Sequence, residues 1–157
     1  MGMHIAIHTV FLDADSLSSK IREMVFRRAI SSGFFVCLVA DRPLPYPRHE
    51  FVSFVQVESG EDAADSYILS VVGDMDLVIT RDIPFAAKLA ERGIRVINDR
   101  GTVFDLETVR ERLSVRDFSF ALRQSGIDLG KKDSFGRKEL HAFAAAFDKM
   151  LTTPFSA

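Results

Sequence analysis

The apolar positions of the chain fall into short unbroken runs, separated by polar stretches with a different period. His4 to Leu12 (HIAIHTVFL), Phe34 to Ala40 (FFVCLVA), Phe51 to Val57 (FVSFVQV), Asp76 to Thr80 (DLVIT) and Ile94 to Asn98 (IRVIN) each have the length of a buried strand. Between them the spacing turns helical. Over residues 17–31, Ile21, Met24, Val25 and Ile30 fall on one side, and Lys20, Arg22, Arg27 and Arg28 mostly on the other. Asp15 or Ser16 is placed to cap that helix and Gly33 to stop it. A second helix is expected over residues 62–72, opening on acidic residues and closed by Gly73-Asp74. A third starts at Asp82-Ile83-Pro84, where proline costs little in a first turn, and ends near Gly93. Pro43, Pro45 and Pro47 forbid helix between the second and third strands, so that segment is a loop.

Strand and helix alternate through residue 98, which predicts a parallel sheet with helices on both faces. Beyond it the pattern changes. Residues 106–124 read as two short helices and 135–151 as one longer helix, with Leu140, Phe143, Ala144, Phe147 and Met150/Leu151 near helical spacing. The expected fold class is α/β: one domain over 1–157, with a core over about 4–99 and a C-terminal helical extension over about 104–151.

Composition narrows the function classes. With 157 residues, 47% hydrophobic and 27% charged, the chain is globular rather than disordered. Its net charge of −2 excludes a uniformly basic nucleic-acid glove and a polyacidic tail. No apolar run nears the ~18 residues of a membrane span, and Met1-Gly2-Met3-His4 opens no signal peptide, so no membrane partner and a cytoplasmic location are expected. The single Cys37 excludes an internal disulfide and a CxxC metal site, and it sits inside an apolar strand, as core residues do. His4, His8, His49 and His141 form no pair with metal-ligand spacing.

The aspartates carry more information. Asp13 and Asp15 follow the first strand, Asp62 and Asp65 open the helix after the third, Asp82 follows the fourth and Asn98-Asp99 follow the fifth. In an open parallel sheet all of these lie on the carboxyl edge, where ligands bind. At ~4 Å and an effective dielectric near 20, each like-charge pair costs on the order of 4 kcal/mol. A hard divalent cation, Mg²⁺ or Mn²⁺, relieves that cost and bridges to phosphate oxygens. In an extended segment Asp13 and Asp15 share one side, and Asp62 and Asp65 share a helix face. The competing explanation is local: aspartate at strand ends and helix starts commonly caps helices and makes turns. Capping alone accounts for Asp15 or Asp82 taken singly.

The two halves differ in charge. Residues 1–99 hold 10 basic and 14 acidic side chains, residues 100–157 hold 10 and 8. Arg100, Arg110, Arg112, Arg116, Arg123, Lys131, Lys132, Arg137 and Lys138 make up most of the basic part. They read either as a solvated helix face paired with Glu107 and Glu111, or as a phosphate-backbone track beside the acidic site. Asp13-x-Asp15 after a strand also matches the start of dehalogenase-type phosphatases, but Leu17 stands where Thr or Val is expected. No glycine-rich phosphate loop is present.

Several segments together resemble the uncharacterised bacterial YaiI/YqxD family, grouped with PIN-like domains. They are Leu12-Asp13-Ala14-Asp15; Gly60 to Asp65 with Ile68; Asp76 to Pro84; Asn98 with Arg100-Gly101; Val109 to Leu113 with Arg116-Asp117-Phe118; and Asp133-Ser134 with Phe143-Ala144. The resemblance implies a PIN-like three-layer α/β/α sandwich around a mostly parallel five-stranded sheet. It also implies a Mg²⁺- or Mn²⁺-dependent nuclease site, its acidic signature falling on Asp13, Asp15, Asp62, Asp65 and Asp82. Where the family usually reads Asp-Ala-Cys-Pro, this chain has Asp15-Ser16-Leu17-Ser18, so the carboxylates stay and the thiol is gone.

The leading expectation is therefore a metal-dependent phosphodiesterase acting on nucleic acid, RNA ahead of DNA. Asp13 and Asp82 would be primary ligands, with Asp15, Asp62 and Asp65 direct or water-mediated. Thr80 or Asn98 would orient water or phosphate, and Arg100, Arg112 and Arg116 would hold the backbone. Two rivals stand beside it: a non-catalytic RNA or protein binding module with a degenerate metal site, and a dehalogenase-type phosphatase. Association into a homo-oligomer is left open.

Overall fold

The computed structural model describes residues 4–60, 62–128 and 135–155. Five strands form one sheet: β1 (Thr9–Asp13), β2 (Phe35–Ala40), β3 (Val52–Gln56), β4 (Leu77–Ile79) and β5 (Arg95–Ile97). Their order is β3-β2-β1-β4-β5, and every neighbouring pair is parallel. Among the described residues the α-helices are α1 (Ser19–Ser32), α2 (Ala63–Val71), α3 (Ile83–Glu91), α4 (Leu106–Gln124) and α5 (Arg137–Thr152). The expected α/β sandwich is the observed one. None of the helices described is long and apolar enough to cross a membrane.

Period-2 alternation splits the core into two layers. Val10 and Leu12 of β1, Val36 and Leu38 of β2 and Ile97 of β5 pack with Ile21, Val25 and Ala29 of α1 and Phe143, Phe147 and Leu151 of α5. Phe11, Cys37, Val39, Val78 and Val96 point the other way, against Ile68 of α2, Phe85 and Leu89 of α3 and Val109 of α4. The C-terminal helices thus complete both layers: α5 belongs to the α1 face, and α4 starts on the opposite one. Gly101 makes this docking possible. It has φ +84, and a Cβ there would sit 2.5 Å from the carbonyl oxygen of Ala142 in α5.

Three expected details change. Residues 106–124 are one 19-residue helix, not two short ones. The stretch holds no glycine or proline to break it, and Asp105 caps it by accepting the N–H of Thr108 at 2.7 Å. The cap of α1 is Ser18, whose Oγ accepts the N–H of Ile21 at 3.4 Å, because residues 14–16 are used in a tight 3-10 turn. The first apolar run pairs as a strand only from Thr9 onward.

The strand order has a functional consequence. From β1 the chain moves outward through β2 to β3, then crosses back through α2 to β4 on the far side of β1. The order therefore switches between β1 and β4, and the carboxyl ends of those two strands open a crevice between the connections that diverge from them. The link from β2 to β3 has no helix. It is an extended proline strap over 41–51 whose Leu44 packs on the α1-side core.

Candidate metal centre

Asp13 is the last residue of β1, and Thr80 follows β4. Leu12 and Ile79 are register partners, so the next residues along meet directly at the switch point. Thr80 Oγ1 donates to Asp13 Oδ2 at 2.6 Å and accepts the N–H of Asp82 at 3.0 Å. Both Asp13 and Thr80 are buried. Asp82 does two things at once. Its Oδ1 accepts the N–H of Phe85 at 3.1 Å as the cap of α3, and the same carboxylate joins a cluster with Asp62 and Asp65.

That cluster is tight: one carboxylate oxygen from each of Asp62, Asp65 and Asp82 lies within 4.8 Å of the others. Asp65 sits in the first turn of α2 and is buried. Asp62 precedes the helix in the left-handed region at φ 65, and its side chain makes no capping bond. A non-glycine residue there is uncommon and strained. Asp62 and Asp65 converge, but not as two positions on one helix face: Asp62 lies outside the helix, and its backbone turn aims it inward. Asp15 likewise departs from expectation. It stands in the 3-10 turn rather than in extended chain, and its Oδ2 accepts the N–H of Asp41 at 3.1 Å while Arg42 Nε lies 3.7 Å from its Oδ1.

All five aspartates line one cavity of about 600 Å³, together with Ser16, Asp41, Lys88 and Arg116. Burial raises the pKa of Asp13; the Thr80 hydrogen bond opposes this, and repulsion from Asp82 adds to it. Asp65 is pushed up to about 7, first by burial, then by the charges of Asp82, Asp13 and Asp62, with Lys88 pulling the other way. Carboxylates this crowded do not hold full charge comfortably without a cation. An all-oxygen, all-carboxylate donor set fits a hard ion such as Mg²⁺ or Mn²⁺ and not a soft one.

The remaining expected residues divide. Thr80 orients Asp13 rather than facing the cavity. Asn98 Oδ1 accepts the N–H groups of Arg100 and Thr102, both at 2.9 Å, and so stitches its own turn. Arg100 lies 3.9 Å from Glu139 and over the ring of Phe135, on the α5 side. Arg112 Nη2 reaches Thr102 Oγ1 at 3.5 Å. Of the three arginines, Arg116 is the one that lines the acidic cavity. Two lining residues escaped sequence reasoning. Asp41 follows β2 on the same carboxyl edge, and the rule that singled out the other aspartates extends to it. Lys88 sits one turn beyond Pro84 on α3 and carried no such signal.

Comparison with known proteins gives a consistent answer. The model of an uncharacterised family described as YaiI/YqxD matches residues 11–153. A UPF0178 protein of Yersinia pestis (strain Pestoides F) is 42% identical over 142 residues, 90% of this chain and 93% of its own length. A UPF0178 protein of Yersinia pseudotuberculosis serotype O:1b (strain IP 31758) aligns with the same figures of 42%, 90% and 93%. No solved structure matches the chain.

Proposed function

The chain belongs to the uncharacterised YaiI/YqxD family, and we propose that it is a divalent-metal-dependent phosphodiesterase acting on nucleic acid, RNA ahead of DNA. The observation that carries this reading is the convergence of Asp62, Asp65 and Asp82 within 4.8 Å, at a parallel-sheet switch point whose cavity Asp13 and Asp15 also line. Asp62, Asp65 and Asp82 would hold Mg²⁺ or Mn²⁺, with Asp13 and Asp15 as direct or water-bridged partners. Such an ion, when bound, lowers the pKa of a water and stabilises charge developing on phosphorus.

The chain's own groups supply the rest. Thr80 holds Asp13 in one orientation through its 2.6 Å hydrogen bond. Asp82 is fixed by its cap on α3, so its free oxygen keeps a constant position. Lys88 and Arg116 set positive charge on the wall of an otherwise acidic cavity. A phosphodiester entering there meets cations on one side and carboxylates on the other, which orients it before reaction. The dehalogenase reading draws less support. Thr80 engages Oδ2 of Asp13, and Leu17 stands where that family expects Thr or Val.

The test is cleavage of single-stranded RNA with Mn²⁺ by wild type, Asp13→Asn and Asp82→Asn. Activity in the wild type that both substitutions remove is expected. Equal activity in all three overturns the assignment. RNA binding that survives EDTA, with no cleavage at any metal concentration, selects the non-catalytic binding module instead.

A further inference from the structure

We propose that the cavity between α1 and the proline strap is a nucleobase pocket, taking one base of a single-stranded RNA whose backbone leads from the acidic cavity; this rests on the nucleic-acid reading above. Two stretches of chain run from one cavity to the other. Asp15 and Ser16 line the acidic one, and α1, which follows them, brings Ser19, Arg22 and Phe26 to the other. Asp41 lines the first, and Pro45 and Tyr46 the second. From Asp41 to Tyr46 the chain reaches at most ~18 Å, so a few nucleotides cover both sites. Between them stands Arg42, with a side chain 64% exposed and anchored 3.7 Å from Asp15, a cation for a passing phosphate.

The cavity holds about 230 Å³. That is below the ~300–1,000 Å³ of sites for drug-sized ligands and suits one ring system. Tyr46 forms a wall. Its ring stacks on Phe54 at 5.3 Å with 13° between planes, yet Tyr46 remains 43% exposed. Phe54 thus fixes the plane of a ring whose open side is free to stack a base. Arg22 also lines the cavity. Its Nε and Nη1 are shielded from solvent and meet no acceptor among the described residues. Shielded donors without acceptors are rare in folded chains, and a small turn of the Arg22 side chain toward the cavity would offer them to a base carbonyl or ring nitrogen. Glu23, beside Arg22, offers a carboxylate to a base N–H. Single strands are favoured because the faces of paired bases are already stacked.

The experiment is fluorescence anisotropy with a labelled single-stranded RNA octamer in EDTA, where neither metal nor cleavage contributes. Wild type is expected to bind, Tyr46→Phe to bind alike, and Tyr46→Ala and Arg22→Gln each to bind ~10-fold or more weakly. An octamer abasic throughout is expected to lose a similar factor on wild type. Thermal melts of the variants check that the fold is kept; Tyr46 is exposed enough for its loss to be tolerated. Absence of binding, equal affinity for the abasic octamer, or equal affinity of wild type and Tyr46→Ala overturns the pocket. The two proposals fail separately. Binding through Tyr46 without Mn²⁺-dependent cleavage keeps the pocket and removes the phosphodiesterase. Cleavage with an unchanged KM in Tyr46→Ala does the reverse.

Discussion

Each end of the sheet buries an aspartate, and the two ends treat it in opposite ways. At the amino edge, just before β4, Asp76 is 8% exposed, and its oxygens accept the N–H groups of Thr9 at 3.1 Å and Gly73 at 2.7 Å. At the carboxyl edge, Asp65 is 7% exposed, and the charges that act on it most are those of Asp82, Asp13 and Asp62. Burial is the same and the partners differ. A buried carboxylate met by backbone donors ties elements together, here β1 to the turn before β4. One set among other carboxylates stores repulsion that a proton or a bound metal ion relieves. Burial by itself therefore does not mark a functional acid; the sign of its surroundings does.

The sharpest break of this comparison is chemical. Asp82→Asn is expected to lower Mn²⁺-dependent cleavage ~10³-fold or more, about 4 kcal/mol of barrier, while circular dichroism stays unchanged. The matching Asp76→Ala substitution should leave Mn²⁺ affinity alone and cost about 2–4 kcal/mol of stability, since two buried N–H groups lose their acceptor. At ~2–4 °C per kcal/mol, calorimetry should read a fall of roughly 5–15 °C.

Asp65→Asn should act in the other direction. Removing a crowded carboxylate is expected to raise the melting temperature of the metal-free protein by a few degrees and to weaken Mn²⁺ binding. The effect depends on pH. Asp65 titrates near 7 in the folded protein against 3.8 unfolded. A proton there favours folding, so its stabilising contribution is full below about pH 3.8 and is lost as pH climbs through 7. Metal-free wild type should therefore lose stability relative to Asp65→Asn across that window, and saturating Mn²⁺ should abolish the difference. Parallel pH profiles of the two proteins would break the account. The smallest expected effect belongs to Thr80→Val, which removes the hydrogen bond to Asp13 and the acceptor of the Asp82 N–H. A loss of about 1 kcal/mol, or roughly fivefold, in Mn²⁺ affinity is expected by calorimetric titration.

Much of this edge was legible in the sequence. Asp13 at the end of an apolar run and Asp82 before Ile83-Pro84 announce a strand end and a helix cap, and both fall where alternation of strand and helix predicts. Less legible were the directions of the side chains. Asp15 looked like a neighbour of Asp13 on one extended side, but the 3-10 turn hands it to Arg42 and the N–H of Asp41. Asp62 looked helical, and a left-handed backbone instead points it back at Asp65 and Asp82. Arg100 looked like a phosphate contact and lies beside Glu139 of α5, a partner distant in sequence.

Local order was written in the chain because strands, caps and stops depend on neighbours within a few residues: alternating apolar positions, a serine or aspartate before a helix, a glycine after one. Which aspartates share a cavity was not, because residues 13, 62, 65 and 82 meet only through the order β3-β2-β1-β4-β5. That order is fixed by how whole faces pack, a property of no single segment. The electrostatics follow from it, since repulsion between carboxylates falls with distance and does not exist until the fold brings them together.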